Sequence, residues 1–122
     1  MKKILVIDDN MVVRNTIVQI LESEGYEVIS AEDGRRGLFV FRSEKPDLVV
    51  TDIIMPEKEG IETIQDLRRE FPETKIIAMT GREALTDYDV FQVAREVGAV
   101  KTLKKPFKLD DLVAVVRELT RD

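Results

Sequence analysis

Five short apolar runs rich in β-branched residues alternate with five segments of helical periodicity, and this alternation constrains the fold more than any other feature. Strand-sized runs separated by single helices and short connections specify a parallel sheet with helices packed on its faces. The strands read as Lys3–Ile7, Glu27–Ser30, Leu48–Thr51, Lys75–Met79 and Val100–Leu103. Those around Ile4, Leu48 and Ile76 are continuously apolar, as strands covered on both faces must be. The second, Tyr26-Glu27-Val28-Ile29-Ser30, is mixed and suits an edge. Val13, Ile17, Ile20 and Leu21 share the face of a first helix, with Asn10 as its N-cap and Gly25 at its C-terminal stop. Leu38 and Phe41 mark a second helix that ends before Pro46. Ile61, Ile64 and Leu67 mark a third, between Gly60 and Pro72. Val90, Val93, Ala94 and Val97 mark a fourth, followed by Gly98. Leu109, Leu112, Val113, Val116 and Leu119 mark a fifth.

Five such units in 122 residues predict a single domain, 1–122, with no linker, repeat or additional output domain. The expected architecture is α/β: a doubly wound (βα)5 three-layer sandwich of the flavodoxin-like type, with a five-stranded parallel sheet in the order 2-1-3-4-5. A TIM barrel would need more strands. Apolar residues at 43 % supply one core, and no run is long enough to span a membrane. The basic-then-apolar start, Met1-Lys2-Lys3-Ile4-Leu5-Val6-Ile7, stops at two aspartates too soon for a secretion signal. The absence of cysteine excludes disulfides and fits a cytoplasmic location. A net charge of −5 argues against direct nucleic-acid binding. There is no histidine, so any imidazole base or phosphohistidine must come from a partner.

In an open parallel sheet, ligands bind beyond the carboxyl ends of the strands. Asp8 and Asp9 follow the first strand, Asp52 the third, Thr80-Gly81 the fourth, and Lys104-Lys105-Pro106-Phe107 the fifth. Three carboxylates, a hydroxyl and an ammonium therefore converge on one mouth of the sheet. Crowded carboxylates repel one another, and a hard divalent cation with oxygen ligands, Mg2+ before Mn2+, relieves this best. Phosphoryl transfer needs mainly positioning and charge stabilisation, and aspartate is a competent covalent acceptor. Lys105 and Thr80 are suited to holding further phosphoryl oxygens.

Val6-Ile7-Asp8-Asp9, Thr51-Asp52-Ile53-Ile54-Met55-Pro56, Gly60, Met79-Thr80-Gly81 and Lys105-Pro106-Phe107 together resemble the response-regulator receiver domains of two-component signalling. The resemblance covers essentially the whole chain, and that family itself has the 2-1-3-4-5 strand order. It implies Asp52 as phosphoacceptor and Asp9 as direct Mg2+ ligand. It further implies that Asp8 acts mainly through water and that the backbone carbonyl of Ile54 is a ligand. Thr80 would be the switch hydroxyl and Lys105 the phosphate-binding lysine, aimed by a cis bond to Pro106. The implied function is Mg2+-dependent acceptance of a phosphoryl group from a histidine kinase, a phosphotransfer protein or a small phosphodonor. The protein would be a switch that catalyses its own phosphorylation and dephosphorylation, not an enzyme acting on an external substrate. The fourth helix, fifth strand and fifth helix would then engage an output protein or domain. One departure is Thr102, which stands where the family often has Tyr or Phe, so the usual aromatic readout is missing.

Taken singly, each of these residues has a plainer reading. Asp8 and Asp9 could cap the first helix, Asp52 could serve a turn, Thr80-Gly81 a strand exit, Lys104 and Lys105 solvated surface charge, and Pro106 a helix start. Five such coincidences at one sheet end are the weaker account. Arg35-Arg36 and Arg68-Arg69-Glu70 read as charges covering helix surfaces, and Met11 as packing near its helix start or meeting a partner. Three other functions are weaker. A haloacid-dehalogenase-type phosphatase would carry an acid two residues after its nucleophile, where this chain has Ile54. A phosphorylation-independent interaction module would not need the acidic set. A flavin protein would carry a Thr/Ser/Gly-rich phosphate loop.

Overall fold

A computed structural model of the chain describes residues 2–53, 60–80, 94–96, 98–105 and 107–121. The strands are β1 (Lys3–Ile7), β2 (Glu27–Ala31), β3 (Leu48–Asp52), β4 (Lys75–Thr80) and β5 (Lys101–Lys104). The helices are α1 (Met11–Ser23), α2 (Gly34–Glu44), α3 (Gly60–Glu70), helical residues 94–96 (α4) and α5 (Leu109–Thr120). All strand pairings are parallel and the order is β2-β1-β3-β4-β5, the doubly wound order expected.

Alternation along the strands divides the core in two. Leu5, Ile7, Val49, Ile76 and Ala78 face α2, α3 and Ala94, burying Leu38, Phe41, Ile64 and Leu67. Ile4, Val6, Leu48, Val50, Ile77 and Met79 face α1 and α5, burying Ile17, Leu21, Leu112 and Val116. The central strands are therefore apolar on both faces, whereas β2 and β5 are edges and more exposed. On one of these faces α2 approaches β1 so closely that a Cβ on Gly37 would collide with the Ile7 side chain.

Local signals account for the helix ends. The Asn10 side chain accepts from the Val13 N–H at 3.1 Å, and Asp33 does the same for Arg36 at 2.8 Å. Gly25, at φ 97°, takes the left-handed turn that ends α1. β2, β3, β4 and β5 each run one residue further than their apolar stretches, because backbone pairing continues through Ala31, Asp52, Thr80 and Lys104. β5 correspondingly starts at Lys101; Val100 donates to the Ile76 carbonyl at 2.9 Å but is itself exposed. Arg35 and Arg36 are exposed on α2, Arg36 lying over the Phe39 ring. Arg68 reaches the Thr74 carbonyl, Arg69 pairs with Asp66, and Arg42 of α2 grips Glu70 of α3 through two bonds. Met11 is 62 % exposed, so packing at the helix start is not its role. Of the anticipated fourth helix, Val90, Val93 and Val97 lie outside the described residues.

Candidate functional site

The carboxyl end of β1 delivers Asp8 into a fully buried position. Its backbone N–H prolongs the β1–β2 ladder by donating to the Ala31 carbonyl at 3.2 Å. Its Oδ1 accepts the Asn10 N–H at 2.9 Å, and its Oδ2 accepts from Lys105 Nζ at 2.7 Å. The Asp8 carbonyl in turn accepts from Arg14 Nη1 at 2.8 Å. Asp9, the next residue, is exposed. Immediately afterwards α1 begins, so the positive end of its dipole adjoins the acidic pair.

β3 ends on Asp52, 6 % exposed, whose backbone is fixed from both sides. The Thr51 hydroxyl donates to its carbonyl at 3.0 Å, and the following Ile53 N–H donates to the Met79 carbonyl at 2.8 Å. Asp52 Oδ2 accepts from Lys105 Nζ at 3.1 Å. Carboxylate oxygens of Asp8, Asp9 and Asp52 all lie within 4.8 Å of one another.

Lys105 follows β5, at the sheet edge, yet it bonds carboxylates at the carboxyl ends of β3 and β1. Two strand spacings, about 10 Å, separate β5 from β3, and a long unbranched side chain crosses this gap over β4. Burial by itself lowers the Lys105 pKa. The Asp8 hydrogen bond and the charges of Asp52 and Asp8 outweigh that, holding the ammonium above the ordinary lysine value. Lys104, its neighbour, is exposed.

Among the described residues, the set gathers three carboxylates around the ammonium that bonds two of them, an excess of negative charge. At an effective dielectric near 20, each carboxylate pair at this separation repels by on the order of 3 kcal/mol. One divalent cation would neutralise the excess. The donors are all oxygen, and the set is closed on the Asp8 side but open toward exposed Asp9. These properties suit a hard cation that keeps water ligands.

Asp8, Asp9, Asp52 and Lys105 are thus brought together. Thr80 ends β4 in register with Lys104, and its backbone reaches the same mouth. Thr102 pairs with Ala78 in mid-strand and is half-buried. Ile54 and Pro106 lie outside the described residues. Sequence reasoning did not single out Arg14. An arginine one turn into a helix has many uses, and only the folded loop shows that it reaches the Asp8 carbonyl.

Comparison with known proteins bears on the same residues. A family model described as the response regulator receiver domain matches residues 4–117. Response regulator MprA of Mycolicibacterium vanbaalenii is 38 % identical over 120 residues, covering 98 % of this chain and 50 % of that protein. The chain thus spans about half the length of the curated relatives it matches. A receiver domain protein from Clostridium thermocellum superposes with TM-score 0.90 at 31 % identity, covering 98 % of this chain and 94 % of the other. Response regulator protein TrrA from Thermotoga maritima, solved in complex with Mg2+-BeF, superposes with TM-score 0.86 at 35 % identity, covering 98 % and 99 %.

Proposed function

This chain belongs to the response regulator receiver family of two-component signalling, and on that premise we propose that it is a switch taking a phosphoryl group onto Asp52 with Mg2+ as cofactor. The observation that carries the reading is the shared grip of Lys105 on Asp8 and Asp52, with Asp9 completing a tight acidic set. Structural families do not by themselves dictate chemistry, but a buried acceptor carboxylate beside a cation-binding set and a bonded ammonium does suit phosphoryl transfer.

Asp8, Asp9 and Asp52 would hold the Mg2+, with the Ile54 carbonyl as the further ligand implied by the family. Bound there, the ion supplies charge neutralisation, which lets an anionic carboxylate approach an anionic phosphoryl group. Asp52 supplies a carboxylate oxygen that forms the new bond to phosphorus as the donor's P–N bond breaks. The departing imidazole nitrogen belongs to the partner kinase or phosphotransfer protein, since this chain has no histidine. Lys105, already 3.1 Å from Asp52 Oδ2, transfers its hydrogen bond to a phosphoryl oxygen. Burial around Asp8 and Asp52 limits water, which restrains hydrolysis of the acyl phosphate until a water attacks phosphorus, the P–O bond to Asp52 breaks, and inorganic phosphate leaves the free carboxylate. The protein acts on its own phosphoryl group and not as an enzyme on external substrates.

The added phosphoryl group brings roughly −1.5 to −2 charge units, by analogy with other side-chain phosphates. That charge draws Lys105 and the Thr80 hydroxyl toward it and biases the α4–β5–α5 surface for an output protein or domain. Because Thr102 is not aromatic, the bias travels through the β4 exit and Lys105. Among the described residues no helix is long and apolar enough to cross a membrane.

Incubation with a small phosphodonor and Mg2+ is expected to add one phosphoryl mass to the wild type and none to Asp52→Asn. Equal labelling of the variant would move the acceptor to another residue.

A further inference from the structure

Every polar atom of Asp8 is engaged: its N–H by Ala31, Oδ1 by Asn10, Oδ2 by Lys105 and its carbonyl by Arg14. The first three bonds fix Asp8 itself. The fourth does something different, because the Asp8 carbonyl lies in the same rigid peptide plane as the Asp9 N–H. Whatever fixes that carbonyl fixes the direction in which the chain enters Asp9.

Asp9 needs such fixing. It is the exposed member of the carboxylate set, and it sits between a buried strand end and the first turn of α1. The Asp8 carbonyl precedes the N-cap Asn10, so it lies outside the helix's own ladder, which starts with the Arg14 N–H donating to the Asn10 carbonyl at 2.9 Å. Arg14 is half-buried, and its backbone N–H and Nη1 thus tie the connecting loop to α1 at two points.

We infer that Arg14 is a positioning residue for divalent cation binding, acting through the Asp8–Asp9 peptide plane to aim the Asp9 carboxylate. This rests on the Mg2+ reading above. A role through charge alone carries the opposite sign. A guanidinium beside the pocket repels a dication, so on electrostatics alone its removal would tighten binding. Positioning predicts that its removal loosens binding, as loss of outer partners of metal ligands generally does.

The test is isothermal titration of the protein with MgCl2, paired with thermal denaturation in EDTA. Arg14→Met is expected to weaken Mg2+ binding by about tenfold, the low end for loss of an outer partner, with a smaller loss in Arg14→Lys. Asp9→Asn is expected to weaken binding strongly, and Arg14→Met is expected to add little on top of it. Unchanged or tighter binding by Arg14→Met overturns the inference, and so does a full additional loss in the Asp9→Asn background. If metal-free Arg14→Met is unfolded in EDTA, Arg14→Lys carries the test: affinity equal to wild type at equal stability overturns it. A wild type that binds no Mg2+ removes the reading on which the inference rests.

Discussion

The two ends of the sheet are both ringed with charge, and they handle it in opposite ways. At the amino end, Lys3, Glu27, Lys75 and Lys101 open their strands, and Asp47 precedes β3. Lys3 Nζ lies 3.0 Å from Glu44 and 3.6 Å from Glu27, its backbone N–H donates to Asp47, Lys101 meets Glu118, and Lys75 caps the Leu119 carbonyl of α5. These groups are matched in sign and largely in water, with Glu27 and Glu118 about half exposed. At the carboxyl end the Asp8 side chain is fully buried, Asp52 nearly so, and the two share one lysine with a third acid, Asp9, close by. Exposed pairs of the first kind contribute little to stability. A buried imbalance of the second kind costs stability unless a cation completes it. A chain does not gain a stable fold from such an arrangement, so its use lies in what it binds.

The largest break in the comparison comes from removing one lysine at each end. Lys105→Met removes the ammonium that bonds Asp8 and Asp52. The variant is expected to lose about 3 kcal/mol in urea denaturation with EDTA present, toward the low side for a broken buried pair because some solvent reaches the site. Added Mg2+ is expected to restore much of that loss. Lys3→Met, which removes an equal charge from the amino end, is expected to leave the denaturation midpoint nearly unmoved. Equal losses at the two ends would mean that burial, not charge count, is the wrong distinction between them.

A smaller effect follows from adding the dication to the wild type. Ligand that binds only the folded chain stabilises it by mass action, by about 1.4 kcal/mol at ten times its dissociation constant. The melting temperature is therefore expected to rise with Mg2+ and fall again with EDTA, and Asp9→Asn is expected to shrink the gain. The amino end has no comparable deficit of positive charge, so a rise that persists in Asp52→Asn/Asp9→Asn would place the ion elsewhere.

How far these two ends could be read in advance follows from their physics. Strand identity was legible because β1, β3 and β4 lie between two helical layers and must be apolar throughout, and β2 stood apart as an edge for the converse reason. Strand ends were read one residue short at Ala31, Asp52, Thr80 and Lys104, because a side-chain pattern does not report where the backbone hydrogen-bond ladder stops. The site's membership was legible for a topological reason: in a parallel sheet every strand's carboxyl end opens on the same side, so Asp8, Asp9, Asp52 and Lys105 had to share a mouth. What stayed hidden was the reach of individual side chains. That Lys105 crosses β4 to grip Asp8, that Asp8 is sealed while Asp9 faces water, and that Arg14 holds the Asp8 carbonyl all depend on loop paths that no spacing rule encodes.

The smallest effect, and the finest test of the contrast, is the alkaline limb of stability. The Lys3 ammonium is held above its ordinary pKa chiefly by its hydrogen bond to Glu44, against some burial, with the Glu27 and Glu44 charges assisting. A raised folded-state value means that the contribution is fully present below the unfolded lysine pKa of about 10.4 and is lost as pH climbs through the higher folded value. Lys105 has the same sign, its Asp8 bond and the two carboxylate charges overriding burial. In EDTA, both lysines therefore steepen the fall of stability above about pH 10.4. Lys105→Met is expected to flatten that fall visibly in denaturation midpoints between neutral and strongly alkaline pH, whereas Lys3→Met is expected to flatten it only slightly, because water already screens the amino-end pair. A larger flattening from Lys3→Met would show that the exposed network, not the acidic pocket, holds the more strongly coupled charge.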